Sequence, residues 1–320
     1  MRLKRLALAA AGGGLVLVGL AAPSQAGLTT FCDGVAEDVT VPGDLVVRAG
    51  DSCDLTNVVI TGNATVRADA NLTLEGSTVE GALRVNNNGF ASTVETEVQG
   101  ATRLNEAYGV YSEDSSHDRN VVAADSDFFY SLGSSHSRNV NSTNVEVFLE
   151  SGQVSRGVNS EGGLLTDLYD TVVEGSLSVS GTELGSVVCF SEVDGDATYT
   201  GNAGLLQFGG QDPVSDCGYN VFGGDVTLTG NTADAGVTGN VIRGDLTCTD
   251  NDPAPVLTDN RVRGEENCDT AAASAFSARS GSIGSAAEKV ESRKTEVLTE
   301  IEDRADDAED AAEEAGPAFE

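Results

Sequence analysis

The sequence predicts an all-β chain wound as a single-stranded parallel β-helix. Three observations carry this: a fixed repeat, a period-2 pattern inside it, and the residues that punctuate it. Gly43, Gly62, Gly81 and Gly100 are spaced by 19, and the stride continues through Arg119, Arg138 and Gly157 to Gly175, Gly195, Gly224, Gly244 and Gly264. One step of 29 marks an insertion around Gly209 to Asp216. The text after each anchor recurs, as in Gly81-Ala-Leu-Arg-Val85, Gly175-Ser-Leu-Ser-Val179 and Gly244-Asp-Leu-Thr-Cys248. Residues two and four after an anchor are mostly apolar and residues three and five mostly polar, the alternation of a strand with one buried face.

Strands this short, separated by Gly, Asn, Asp and Thr turns, cannot make a stable sheet alone. Stacking each on its equivalent in the next coil gives parallel ladders around a dry interior. A second short run precedes the later anchors, at Asn220-Val221, Asn240-Val241 and Asn260-Arg261-Val262. Residues 27–270 then make about twelve coils, and at ~4.8 Å per coil a rod of roughly 60 Å. No strict hexapeptide period is present, which favours a right-handed coil.

Residues 1–26 read as a secretory signal, with basic Arg2, Lys4 and Arg5, an apolar run Leu6 to Leu20, and Ser24-Gln25-Ala26 as a cleavage site. The expected location is secreted, extracellular or cell-surface associated, with no membrane span after processing. Fifty-one acids against 18 bases give a net charge of −33, which excludes a nucleic-acid binder because affinity for phosphate comes from clustered Lys and Arg. Six cysteines suit an oxidising compartment, and no C-x-x-C spacing points to zinc or redox chemistry. The expected disulfides are local: Cys32 to Cys53, Cys189 to Cys217, and Cys248 to Cys268. The last two cysteines both lie four residues after their anchors and so stack at the coil spacing.

After Cys268 the composition shifts to Ala, Ser and Gly, then to Ala and Glu. Residues 271–285 read as a linker and 286–320 as an acidic helical tail. Ser285-Ala-Ala-Glu288 has the form of a capping box, and Gly316-Pro317 is a stop. The apolar stripe of Val290, Val297 and Ile301 is thin, so the helix is expected from about 286 to 315 as a mobile, solvated element.

The coil Asn240-Val-Ile-Arg-Gly-Asp-Leu-Thr-Cys248 resembles those of uncharacterised secreted bacterial parallel β-helix repeat proteins, and the layout is similar to the pectate-lyase-like right-handed β-helix class. The resemblance implies a fold. Were it to extend to activity, it would imply acidic calcium ligands and a basic residue beside the scissile sugar. The Gly-His-Gly and Arg-Ile-Lys signatures of the polygalacturonase family are absent.

Candidate ligand-binding residues fall into repeating columns. His117 and His136, 19 apart beside Arg119 and Arg138, are stacked imidazoles that could bind a metal or act as acid and base, unless one duplicated turn simply carries the same residues twice. Thr198 with Thr200, Thr227 with Thr229, and Thr247 with Thr249 form outward Thr-x-Thr pairs, a flat array like the face of ice-binding solenoids. Arg84 over Arg103 and Arg119 over Arg138 form like-charge ladders that need acids or anions nearby. Phe90, Tyr108, Phe128 and Phe148 are either a sugar-stacking strip or, with more weight, an aromatic ladder inside the rod. Calcium suits so acidic a surface, yet no motif specifies it and no cofactor is called for. The functional expectation is a secreted non-catalytic solenoid, a surface or extracellular structural or binding protein whose partner is a polysaccharide or cell-surface component. The alternatives are a polysaccharide lyase or hydrolase and, at lower weight, an ice-binding protein.

Overall fold

A computed structural model describes residues 27–211, 213–269 and 280–319. The expected signal segment and residues 271–279 of the expected linker lie outside the described residues. The chain is a parallel β-solenoid of about thirteen turns. Each full turn gives one strand to each of three parallel sheets, which hold 13, 12 and 12 strands. One turn runs through Leu83–Asn86 in sheet A, Phe90–Val94 in sheet B and Glu97–Val98 in sheet C. The turn beyond the expected twelve comes from Thr29–Cys32, which pairs with Asp44–Val47. It precedes the first anchor glycine, since a terminal turn has no earlier turn to approach.

Sheet A is the strand after each anchor, and sheet C is the short run before it. Sheet B was not legible because both of its faces are buried in the middle turns. Phe128-Phe-Tyr-Ser-Leu132 shows no alternation, and four of these five residues are buried. Inward residues of all three sheets, such as Leu83, Val85, Ala91 and Val98, form one continuous apolar core.

Three corners keep the turns in register, and each satisfies its backbone with groups of a neighbouring turn. Between sheets B and C, the amides of Val58, Ser77, Thr96 and Ser115 donate to the hydroxyls of Ser77, Thr96, Ser115 and Ser134. Farther along, Asn220 and Asn240 take over this column, and each also donates from its side-chain amide to an interior carbonyl. Between sheets A and B, Asn202, Asn231 and Asn251 do the same. At the corner between C and A, the anchor glycines pack backbone on backbone. The Gly100 amide donates to Gly81 at 2.9 Å, and a Cβ on Gly100 would collide with that carbonyl.

The three expected disulfides are present and join neighbouring turns, with Cα separations of 5.6, 4.7 and 4.4 Å. The insertion before Val221 folds back beside sheet B. Its Cys217 is tied to Cys189, and the Gln207 side chain accepts from the amides of Val214 and Ser215.

The helix, α1, spans Ser280–Ala315 and is not a mobile tail. It begins six residues before the expected start, so the Ser285 capping box is interior to it. The added turn is held because Ile283 and Ala287 bury against Leu205. From there α1 runs back along the outer face of sheet B. Val290, Val297 and Ile301 pack on Phe90, Phe128, Tyr130 and Phe148. Its cations form a seam with the solenoid. Arg293 pairs with Glu146 at 2.8 Å, Lys294 pairs with Glu150 at 2.7 Å and lies over the Tyr169 ring, and Arg304 donates to Asn71 at 2.7 Å. After Gly316 the chain adds to the edge of the first turn: the Val35 amide donates to Gly316 and the Ala318 amide to Val35, both at 2.8 Å.

Three outcomes follow for stability. Gly100→Val should destabilise by about 1–3 kcal/mol by overpacking the corner, measured as a lowered urea midpoint. A chain ending before Ser280 should melt at lower temperature and bind a hydrophobic dye, because the aromatic face of sheet B is uncovered. Phe128→Ala in the full chain should cost about 3 kcal/mol or more.

Candidate functional site

With sheet B under α1, the outer faces of sheets A and C and the corner between them are open, and the recurring polar columns lie on sheet A and at that corner. On sheet A the outward side chains stack in two rows in strict register. One row runs Asn141, Asn159, Ser178, Thr198, Thr227, Thr247 and Asn267. The other runs Thr143, Glu161, Ser180, Thr200, Thr229 and Thr249. The expected Thr pairs therefore lie side by side, and Thr229 and Thr249 share a hydrogen bond of 3.1 Å. In a chain with 51 acids, Glu161 is the one charge in this stretch, and toward the first turns the first row continues through Val122 to Arg103 and Arg84.

The column of anchors changes character in the middle of the rod. The register places Arg119, Arg138 and Arg156 on successive turns, where turns on either side carry glycine. Arg156, not Gly157, is the third member, because the step from Arg138 is 18 rather than 19. That one-residue deletion hid it from the repeat count. All three side chains are exposed. Together with Arg103 they line a groove of about 650 Å³ that also takes in Asn120 and Asn139 and has no carboxylate in its wall. Across the arginine ridge lies a second groove of about 1000 Å³, which brings in Glu80, Asp118 and Glu174.

The histidines do not join this site. His117 and His136 are the inward residues of their sheet C strands, 0% and 2% exposed, and stack with ring centroids 5.0 Å apart. Thr102 and Ser112 hold both nitrogens of His117 at 2.8 and 2.9 Å, and Ser131 holds Nε2 of His136 at 2.9 Å. A ligand-binding role for the pair is thus corrected to a polar rung inside the core, because position two of a sheet C strand points inward. The aromatic expectation is also corrected. Phe90, Tyr108, Phe128 and Phe148 lie neither on an open strip nor inside the rod but between sheet B and α1. Sequence reasoning missed this, having no sheet B to place them on.

Asp167 also faces α1 from sheet B. It is 1% exposed, its Oδ1 accepts from the Val187 amide at 2.8 Å, and its Oδ2 has no hydrogen-bond partner. The helix bars it from solvent and from any substrate. Among the described residues no three His, Cys, Asp or Glu side chains converge to hold a metal ion, and no helix is long and apolar enough to cross a membrane.

The fold and these surfaces define a disulfide-braced parallel β-solenoid with one sheet strapped by a helix and two left open. No protein-family model matches the chain, and neither does any curated protein or solved structure. The resemblance in coil pattern therefore supports the fold and carries no activity.

The buried groups set a pH dependence. Burial pushes the His117 imidazole down to about 4 and that of His136 well below its usual value, with His117 adding to the effect. In the unfolded chain both rings protonate near pH 6.5. Their contribution to stability is therefore full above that pH and is lost as pH falls toward 4. Asp167 opposes them: burial raises its carboxyl to about 7, so its contribution is full below 3.8 and is lost as pH rises through 7. An Asp167→Asn variant should therefore lose roughly 3 kcal/mol from His117 alone between pH 7 and pH 4.5 in urea unfolding, with His136 adding to it, and the parent less. Proton NMR should show neither imidazole titrating above pH 5.5.

Proposed function

We propose that this is a non-catalytic extracellular structural or binding protein, whose sheet A presents an extended polar face to a hydroxyl-rich polymer at a cell surface or in a matrix. The observation that carries this reading is the pair of neutral Asn, Ser and Thr rows, kept almost free of charge in a strongly acidic chain. Repetition along a rod favours contact over many turns, each weak, above a unique pocket. Three disulfides are compatible with an extracellular setting.

A second reading, a polysaccharide lyase or hydrolase, draws support from the groove where Glu80, Asp118 and Glu174 lie near Arg119, Arg138 and Arg156. The histidines have no part in it, being interior. The in-register threonines support ice binding in the same way. One set of measurements separates the three. Purified protein should bind neutral polysaccharides without releasing reducing or unsaturated ends, and should show no thermal hysteresis. Replacing Thr198, Thr227 and Thr247 by Lys should weaken binding roughly tenfold or more at unchanged melting temperature. Cleavage by the parent that is lost in an Arg119→Ala, Arg138→Ala variant would instead establish the enzyme.

A further inference from the structure

We propose that the acid-free groove beside the arginine ridge binds a polysaccharide carrying sulfate or phosphate esters, with its oxyanions held on successive turns by Arg103, Arg119, Arg138 and Arg156. The site adjoins the neutral rows, since Arg103 stands two turns before Asn141 in the same sheet A row, and its test reads the two separately.

The arginines displace a structural device. In the flanking turns the anchor amides donate to the preceding anchor carbonyl at 2.9 Å, as from Gly81 to Gly62, Gly100 to Gly81 and Gly195 to Gly175. Across the arginine turns only the side chain after the anchor serves the corner, as it also does in glycine turns from Asn63 and Asp225: the Asn139 amide donates to Asn120 at 3.2 Å and the Gly157 amide to Asn139 at 3.0 Å. The guanidinium groups do not repay this inside the molecule. Among the described residues, none of the four arginines has a carboxylate within 4.0 Å or a side-chain hydrogen bond. Like charges stacked on neighbouring rungs repel unless a counter-charge intervenes, and an external anion supplies it.

The residue type and the spacing narrow the ligand. All four cations are Arg, whose planar fork matches oxyanions and is less tightly hydrated than an ammonium. A planar carboxylate uses both oxygens on one guanidinium. A tetrahedral ester oxyanion directs its oxygens apart and can accept from two rungs of a ladder ~4.8 Å apart. The groove spans four turns from Arg103 to Arg156, with Asn120 and Asn139 in its wall beside the arginines, so a polymer fits better than a free ion. Glu80, Asp118 and Glu174 lie across the ridge, and charge farther off is screened beyond roughly 8 Å at physiological salt, so on this side the arginines face an acid-free wall.

The test measures binding of the full chain to dextran sulfate, phosphorylated dextran, polygalacturonate and unmodified dextran over a range of salt. At least one ester should bind, with affinity falling as salt rises, and the stronger ester identifies the source of the oxyanion. Replacing all four arginines by Gln should lower ester affinity at least roughly 30-fold, with melting temperature and neutral-polymer binding unchanged. The Lys counterpart should fall between parent and Gln variant. If the fourfold variant folds poorly, Arg119→Gln with Arg138→Gln gives the same reading at smaller amplitude. Equal binding by parent and Gln variant, no binding of either ester, or polygalacturonate bound as tightly as the esters would overturn the proposal. Loss of neutral-polymer binding alone, by the sheet A lysine variant, would leave it standing.

Discussion

Everything in this molecule depends on each turn completing the hydrogen bonds of its neighbour at the corners. The strands contribute ladders, but a strand of two residues in sheet C has little to hold it. The polar columns of Ser, Thr and Asn capture corner amides one turn away, and buried Asn220 and Asn240 also reach interior carbonyls. A buried amide left without a partner costs on the order of 1–3 kcal/mol, so a slip of one residue would be penalised at all three corners together. That constraint fixes the register, and the register lines up the threonines, the arginines and the disulfides.

The same constraint decides where charge can go. The interior holds most of its polar groups by partnering them, as His117 is held between Thr102 and Ser112, whereas Nδ1 of His136 is left without a partner. The helix accepts them as ion pairs: Arg293 and Lys294 reach Glu146 and Glu150 at the two ends of one sheet B strand, beside the buried aromatics. A buried pair of this kind fixes position more than it adds stability, because desolvation offsets much of the attraction. The apolar contacts of Val290, Val297 and Ile301 hold α1 on sheet B, and its cations set where along the rod it comes to rest.

How much of this could be read beforehand follows from the periodicity of each face. Sheets A and C were legible because one side of each strand is wet, which leaves an alternating pattern such as Leu83-Arg-Val-Asn86. Sheet B was not, because α1 dries its outer face and Phe90, Phe128 and Phe148 break the alternation. The docking of the helix was hidden for the matching reason. Its stripe looks thin when judged alone, and becomes sufficient only against an aromatic surface that local sequence does not reveal. The disulfides were legible from register alone. Of the candidate site, Arg119 and Arg138 and the Thr pairs were found from the repeat, whereas Arg156 was concealed by an 18-residue step. The histidines were found but placed on the wrong side of the wall, since a two-residue strand is too short for its sequence to show which member faces in.

The segment after α1 has a geometric consequence. Leu28 accepts from the Asp44 amide, and Gly316 accepts from the Val35 amide, so both ends of the described chain sit on the first turns. The rod is in effect a hairpin of solenoid and helix, open at the far end and closed at the near one. A tether or fluorophore joined to either terminus would project the molecule end-on, with the arginine groove partway along its length and the threonine rows beyond it. Immobilised through its chain ends, the protein would present these surfaces side by side along the shaft, in an order set by sequence and at heights fixed by the pitch of the coil.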